Sequence, residues 1–193
     1  MPLFEINLPK SITQALGIPP RSPKRSQLRV LKKLMKRARY TAFGQQFGFE
    51  QILQRRGAVK RFQESVPVYN YNKIYAEWWH KTLEGQEDIC WPGKIKYFAL
   101  SSGTSEAASK YIPVTNDLLR GNKIIMIKQL ISLLNYEGVP LSALGRGWLT
   151  LGGSTDLQKG PGYYAGDLSG ITAKKAPFWF QPFYKPGTKI DKE

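Results

Sequence analysis

Tyr97-Phe98-Ala99-Leu100-Ser101-Ser102-Gly103-Thr104-Ser105, running on through Glu106, Ala107, Ala108 and Ser109 to Lys110-Tyr111-Ile112-Pro113, is the stretch on which the reading of this chain turns. Lys96 to Leu100 is apolar and aromatic enough for a β-strand. Four Ser/Thr hydroxyls and one Gly then fall within five positions, and Lys110 closes the loop five residues later. Tyr111 to Val114 returns as a second strand. Such a loop suits an oligophosphate. Hydroxyls and backbone N–H groups donate to phosphate oxygens, a Gly lets the main chain approach closely, and a Lys ammonium supplies a point charge. The Walker spacing Gly-x-x-x-x-Gly-Lys-Ser/Thr and the Gly-x-Gly-x-x-Gly fingerprint are both absent, which weakens P-loop and dinucleotide readings.

Working outward, Thr115 or Asn116 is placed to cap a long helix through Asn135. Its apolar positions Leu118, Leu119, Ile124, Ile125, Ile127, Leu130, Ile131 and Leu134 cover too much circumference for a surface helix, which predicts burial on more than one face. Trp148 to Leu151 reads as a strand ending in Gly152-Gly153-Ser154-Thr155. Gly160-Pro161-Gly162 is a turn, and 163–170 is a hairpin arm or an extended loop. Upstream, the Lys73 to Leu83 segment reads as a helix capped by Asn70 or Asn72, followed by a loop from Gly85 to Gly93. Before it stand Val66-Pro67-Val68, extended, and a short helix from Phe49 to Arg55. Earlier still come a basic helix capped by Ser22 or Ser26 and ending near Tyr40 to Gly44, and a short helix from Pro9 to Leu16. The order is α/β: a helical N-terminal segment over 1–60, then part of a β-sheet flanked by helices.

Ser101-Ser102-Gly103-Thr104-Ser105 with Lys110 resembles the ATP-phosphate loop of the acyl-adenylate-forming superfamily. The Lys-Tyr-Ile-Pro ending resembles one branch of it, the acyl-acid-amido synthetases (auxin-responsive in plants), which conjugate auxin or jasmonate to amino acids and have many bacterial relatives. Gln27 to Leu34, Thr41-Ala42-Phe43-Gly44, Phe62 with Val66-Pro67-Val68, Gly85-Gln86, Trp91-Pro92-Gly93 and Ile95-Lys96 fall in the order expected upstream of that loop. The resemblance covers about residues 20 to 175. One departure is Ala107, where the plant enzymes usually have Gly, and it makes this loop stiffer.

The resemblance implies an ATP-dependent ligase. A carboxylic acid and ATP give an acyl-adenylate and pyrophosphate, and an amine such as an amino acid then takes the acyl group. It assigns the β- and γ-phosphates to Ser101, Ser102, Gly103, Thr104, Ser105 and Lys110, shared with Mg²⁺, and asks for no protein nucleophile. It further implies that 1–193 is an incomplete N-terminal domain, with the adenine pocket, the metal's carboxylate and a mobile C-terminal domain outside it. Such a fragment is expected to show no turnover alone.

Forty-one per cent hydrophobic residues, with five Trp, ten Tyr and nine Phe, supply a core for a globular chain of 193 residues. The formal charge of +15 asks for an anionic partner or a solvated basic face. Nine Lys/Arg and no Asp/Glu lie between Arg21 and Tyr40, yet Leu28, Leu31, Leu34, Met35 and Ala38 recur on one helical face. The solvated outer face is preferred, with no nucleic acid expected. The competing class is a basic module binding nucleic acid or anionic membrane through residues 21–40. The single Cys90 excludes an internal disulfide and a Cys-based zinc cluster. The start lacks a secretory pattern and no window reaches a membrane-spanning length, so a cytoplasmic location is expected.

Four further candidates carry less. Gly153, Ser154 and Thr155 are placed as a loop beside the ligand. Asp167, between glycines, reads as a turn former, with a site residue as the alternative, and the aromatic run 178–184 reads as core or interdomain packing, with the lining of an acyl pocket as the alternative. His80, the only histidine, reads as a surface or packing residue, because a triad or a metal site needs partners that it lacks.

Overall fold

The computed structural model of the chain describes residues 22–101, 109–133, 142, 148–149, 153–176 and 184–185. Two sets of these residues pack separately: 22–40 with 44–68, and 41–43 with those from 69 onward. The expected helix from Pro9 to Leu16 lies outside the described residues.

The first set is helical: α1 (Pro23–Ala38), α2 (Ala42–Gln46, starting in the second set), α3 (Phe49–Gln54) and α4 (Ala58–Ser65). Pro23 opens α1, where a missing N–H costs nothing, and Ser22 occupies the cap position without a side-chain bond. Met35 and Ala38 of α1 are buried together with Phe49 and Ile52 of α3 and Ala58 of α4, and the Phe49 and Phe62 rings lie 6.0 Å apart. Leu34, expected on the inner face, is exposed, because the buried stripe runs through Met35 and Ala38 and leaves Leu34 beside it. Lys24, Arg25, Lys32 and Lys36 are exposed, as a solvated outer face requires. The helix α4 has no counterpart in the sequence reading; Gly57, at φ +77°, turns the chain into it.

In the second set, Asn70 caps α5 (Tyr71–Ile74), its Oδ1 accepting from the Lys73 N–H at 2.9 Å. A π-helical turn (Tyr75–Trp79) and α6 (His80–Leu83) continue the same helix. Asn70→Ala should cost about 1 kcal/mol of stability, the usual worth of such a cap, measurable as a shift in the urea midpoint at unchanged slope.

Strands β1 (Tyr97–Ser101), β2 (Lys110–Val114), β4 (Gln158–Gly160) and β5 (Tyr163–Gly166) form one sheet in the order β2-β1-β5-β4. Two residues, β3 (Trp148–Leu149), pair in parallel with β6 (Tyr184–Lys185) in a separate ribbon. Within the main sheet β1 runs antiparallel to β2 and parallel to β5, while β4 and β5 form a hairpin around Pro161-Gly162. Alternation along β1 sorts the two faces. Ala99, with Tyr97 against it, packs with Val114, Leu119, Leu157 and Ile171; Phe98, with Leu100 against it, packs with Ile95, Ala165, Tyr163, Tyr111, Trp91 and Leu83.

Helix α7 (Asn116–Leu133) is capped by Thr115, whose Oγ1 accepts from the Leu118 N–H at 3.0 Å. Burial on several faces does not hold for its described side chains. Leu119 is buried in the cluster with Ala99, Val114, Leu157 and Ile171, but Leu118, Ile125 and Ile127, on other faces of the helix, are exposed. The segment 163–170 divides: its first half is the hairpin arm β5, and its second half opens the helix α8 (Leu168–Lys174). Gly170 lies so close to the 153–154 backbone that a Cβ there would strike the Ser154 carbonyl. None of the helices among the described residues is long and apolar enough to cross a membrane.

Candidate functional site

Strand direction places the pieces. Because β1 and β5 are parallel, their C-terminal ends share one edge of the sheet, and the starts of the antiparallel β2 and β4 lie on that edge too. Ser101 ends β1 and is the register partner of Lys110, which begins β2. The loop 102–108 therefore leaves and returns at this edge; Ser102, Gly103, Thr104 and Ser105 belong to it and lie outside the described residues. In open α/β sheets the crevice beyond the carboxyl ends of parallel strands is the common ligand position.

Gly153, Ser154 and Thr155 reach the same edge from a distant part of the sequence, since they lead into β4. Their polar groups are used locally. The Gly153 N–H donates to Ser169 Oγ at 2.8 Å, the Asp156 N–H donates to Ser154 Oγ at 3.0 Å, and Thr155 is buried. Asp167 occupies the cap position of α8, its carbonyl accepting from the Ile171 N–H at 2.9 Å. Its carboxylate makes no cap bond and lies against Gly153, where a Cβ would overlap it. Asp167 thus begins a helix, where the sequence reading had a turn former. The signal available was an Asp ahead of Leu168 to Ala173, masked by the flanking Gly166 and Gly170.

Lys110 is exposed, and its Nζ sits 5.3 Å from the centroid of the Tyr71 ring. The Tyr111 N–H donates to the Tyr71 hydroxyl at 2.9 Å, tying the start of β2 to the start of α5 across 40 positions of sequence. Tyr71 carries no signal in the sequence that marks it for this place.

At the opposite edge of the sheet, a cavity of about 180 Å³ is lined among others by Trp79, Ile89, Cys90, Trp91, Ile95 and Pro113. Burial pushes the Cys90 thiol from its usual 9.0 up to about 12, with Lys81 opposing the rise. The folded value lies above the unfolded one, so any stability tied to this burial is present below about pH 9 and is lost as pH rises towards 12. Alkylation at pH 8 should accordingly be slower by roughly ten- to a hundredfold in the folded chain than in urea, the smaller thiolate fraction being partly offset by its greater nucleophilicity, as a mass-spectrometric time course would show. His80 is held inside its own helix, Nδ1 lying 3.0 Å from the Tyr75 carbonyl. Among the described residues no group of three or more His, Cys, Asp or Glu could hold a metal ion.

The sequence matches the GH3 family N-terminal domain over residues 20–192. No curated protein sequence matches the chain. Among solved structures it is similar to one described as "GH3.15 acyl acid amido synthetase", with a TM-score of 0.64 at 22% identity. That likeness takes in 90% of this chain and 30% of the other, so the chain spans about 30% of the length of the enzyme whose fold it shares.

Proposed function

The chain belongs to the GH3 family, and from that premise we propose that it carries the phosphate-binding edge of an ATP-dependent acyl-acid ligase. In the proposed reaction an oxygen of the substrate carboxylate attacks the α-phosphorus of ATP. The bond to the bridging oxygen breaks, and acyl-adenylate and pyrophosphate form. An amine, such as that of an amino acid, then attacks the acyl carbon, giving an amide and releasing AMP.

One observation carries the reading. Ser101 and Lys110 are register partners at the C-terminal edge of β1, with the hydroxyl-rich loop between them. The donor set suits a triphosphate. Lys110 is an exposed ammonium, Ser101 stands across the ladder from it, and the loop adds the hydroxyls of Ser102, Thr104 and Ser105 with Gly103 for close approach. The work asked of these residues is to hold the β- and γ-phosphates in line and to offset the charge that develops on the departing pyrophosphate. Mg²⁺ bound to the triphosphate would supply further charge neutralisation, and no described residue is assigned to it. Gly153, Ser154 and Thr155 form the neighbouring wall and keep the start of α8 in place.

The test is carboxylate-dependent exchange of labelled pyrophosphate into ATP across a panel of aliphatic, aromatic and indole acids. It is run on this chain and on a polypeptide of the relative's full length carrying it. Exchange with some acids and not others in the longer polypeptide, and none in this chain alone, is the expected result; no exchange with any acid in the longer polypeptide would sink the proposal.

A further inference from the structure

We propose that Tyr71 is the positioning residue for Lys110, holding the lysine ammonium at the mouth of the β1–β2 hairpin ready for an anionic phosphate; the inference rests on the phosphate-binding role proposed for Lys110. The ammonium lies 5.3 Å from the Tyr71 ring centroid, inside the range at which a cation is drawn to an aromatic face. The ring itself is held from three directions. It stacks on Tyr75 with centroids 5.7 Å apart and planes 24° apart, meets Trp79 edge-on at 6.1 Å, and its hydroxyl accepts from the Tyr111 N–H at 2.9 Å. Asn70 caps the helix in which Tyr71 is the first residue, so the backbone beneath the ring is fixed as well.

The physical consequence concerns entropy. An exposed lysine stem samples many rotamers and loses that freedom when its ammonium engages an anion. A ring that already holds the ammonium from one side removes part of the loss and leaves the donors on the other side open. The bond to Tyr111, the residue after Lys110, sets ring and stem in one frame, because the ring is anchored to the same strand that carries the lysine. Tyr71 thereby acts through Lys110 and does not itself reach the phosphate.

The experiment uses the full chain with its lysines reductively methylated with ¹³C, which keeps their charge. The Lys110 methyl resonance, identified by its loss in Lys110→Arg, should be displaced by the ring current of Tyr71. Tyr71→Phe loses the bond to Tyr111 but keeps the ring, still held by Tyr75 and Trp79, and should keep the displacement. Tyr71→Leu should abolish it. In parallel, ATP titrations of the unmethylated variants should show affinity falling roughly 2- to 5-fold in Tyr71→Leu and little changed in Tyr71→Phe. A structural role alone would lower the melting temperature of both variants without this ring-dependent split. If Tyr71→Leu binds ATP as well as wild type or better while Lys110→Ala binds it worse, the positioning role is overturned and the phosphate site stands. If Lys110→Ala binds ATP like wild type, the phosphate assignment fails and the positioning role falls with it, whereas the ring contact is judged separately by the methyl shift. Should Tyr71→Leu not fold, the wild-type spectrum decides: a Lys110 resonance coincident with those of the solvent-exposed lysines overturns the proposal.

Discussion

Replacing Lys110 by Ala is expected to slow acid-dependent pyrophosphate exchange by about ten- to a hundredfold in a polypeptide of full relative length, while leaving the melting temperature nearly unchanged. A charge-assisted hydrogen bond to a phosphate is worth roughly 1.5–3 kcal/mol, and each 1.4 kcal/mol felt in the transition state is about a factor of ten in rate. The fold has little to lose, because Lys110 is exposed and the contact its ammonium makes among the described residues is with the face of the Tyr71 ring. Ser102→Ala and Thr104→Ala should act in the same direction. Exchange measured at saturating and at limiting ATP separates weakened binding from a slower chemical step. Wild-type rates for Lys110→Ala under both conditions would show that the loop does not serve the phosphates.

Phe98→Ala should do the reverse, removing about 3–5 kcal/mol of stability and lowering the melting temperature by roughly 6–20 °C. Phe98 is fully buried at the centre of the sheet, packed with Ile95 and Ala165, and the Tyr163 ring meets it edge-on at 5.3 Å. Ala165 and Tyr163 on β5 and Tyr111 on β2 are held by backbone ladders to β1, so the cavity cannot close by collapse of one side chain. Val68→Ala, at a side chain 95% exposed, is the matched control and should change stability by less than about 0.5 kcal/mol. A Phe98→Ala chain that melts with the control would mean that the sheet does not hold the core described here.

How much was legible depended on how local the controlling physics is. The strands flanking the loop, the helix caps at Asn70 and Thr115 and the turn at Pro161-Gly162 were all readable, because each is set by residues within a few positions of one another. The helix α8 was not readable. Two glycines flank or interrupt it, and what holds it is Ile171 packing on Ala99 and the Ser169 hydroxyl bonded to Gly153, both supplied from elsewhere in the chain. The expected burial of α7 did not hold at Leu118, Ile125 and Ile127 for the same reason in reverse: periodicity states which side chains are apolar, and only neighbouring elements can cover them.

The sequence by itself determined the α/β order, the family and the loop that carries the candidate phosphate donors, since hydroxyl chemistry, glycine freedom and strand alternation are properties of contiguous residues. Only the tertiary structure decided that β5 runs parallel to β1, which brings the 153–155 segment and Asp167 to the same edge as Ser101 and Lys110. It alone decided that Tyr71, with no mark in its own surroundings, lies beneath Lys110. Register and ring contacts between residues so far apart follow from which faces the core buries, a choice made by the whole packed sheet and not by any single stretch of the chain.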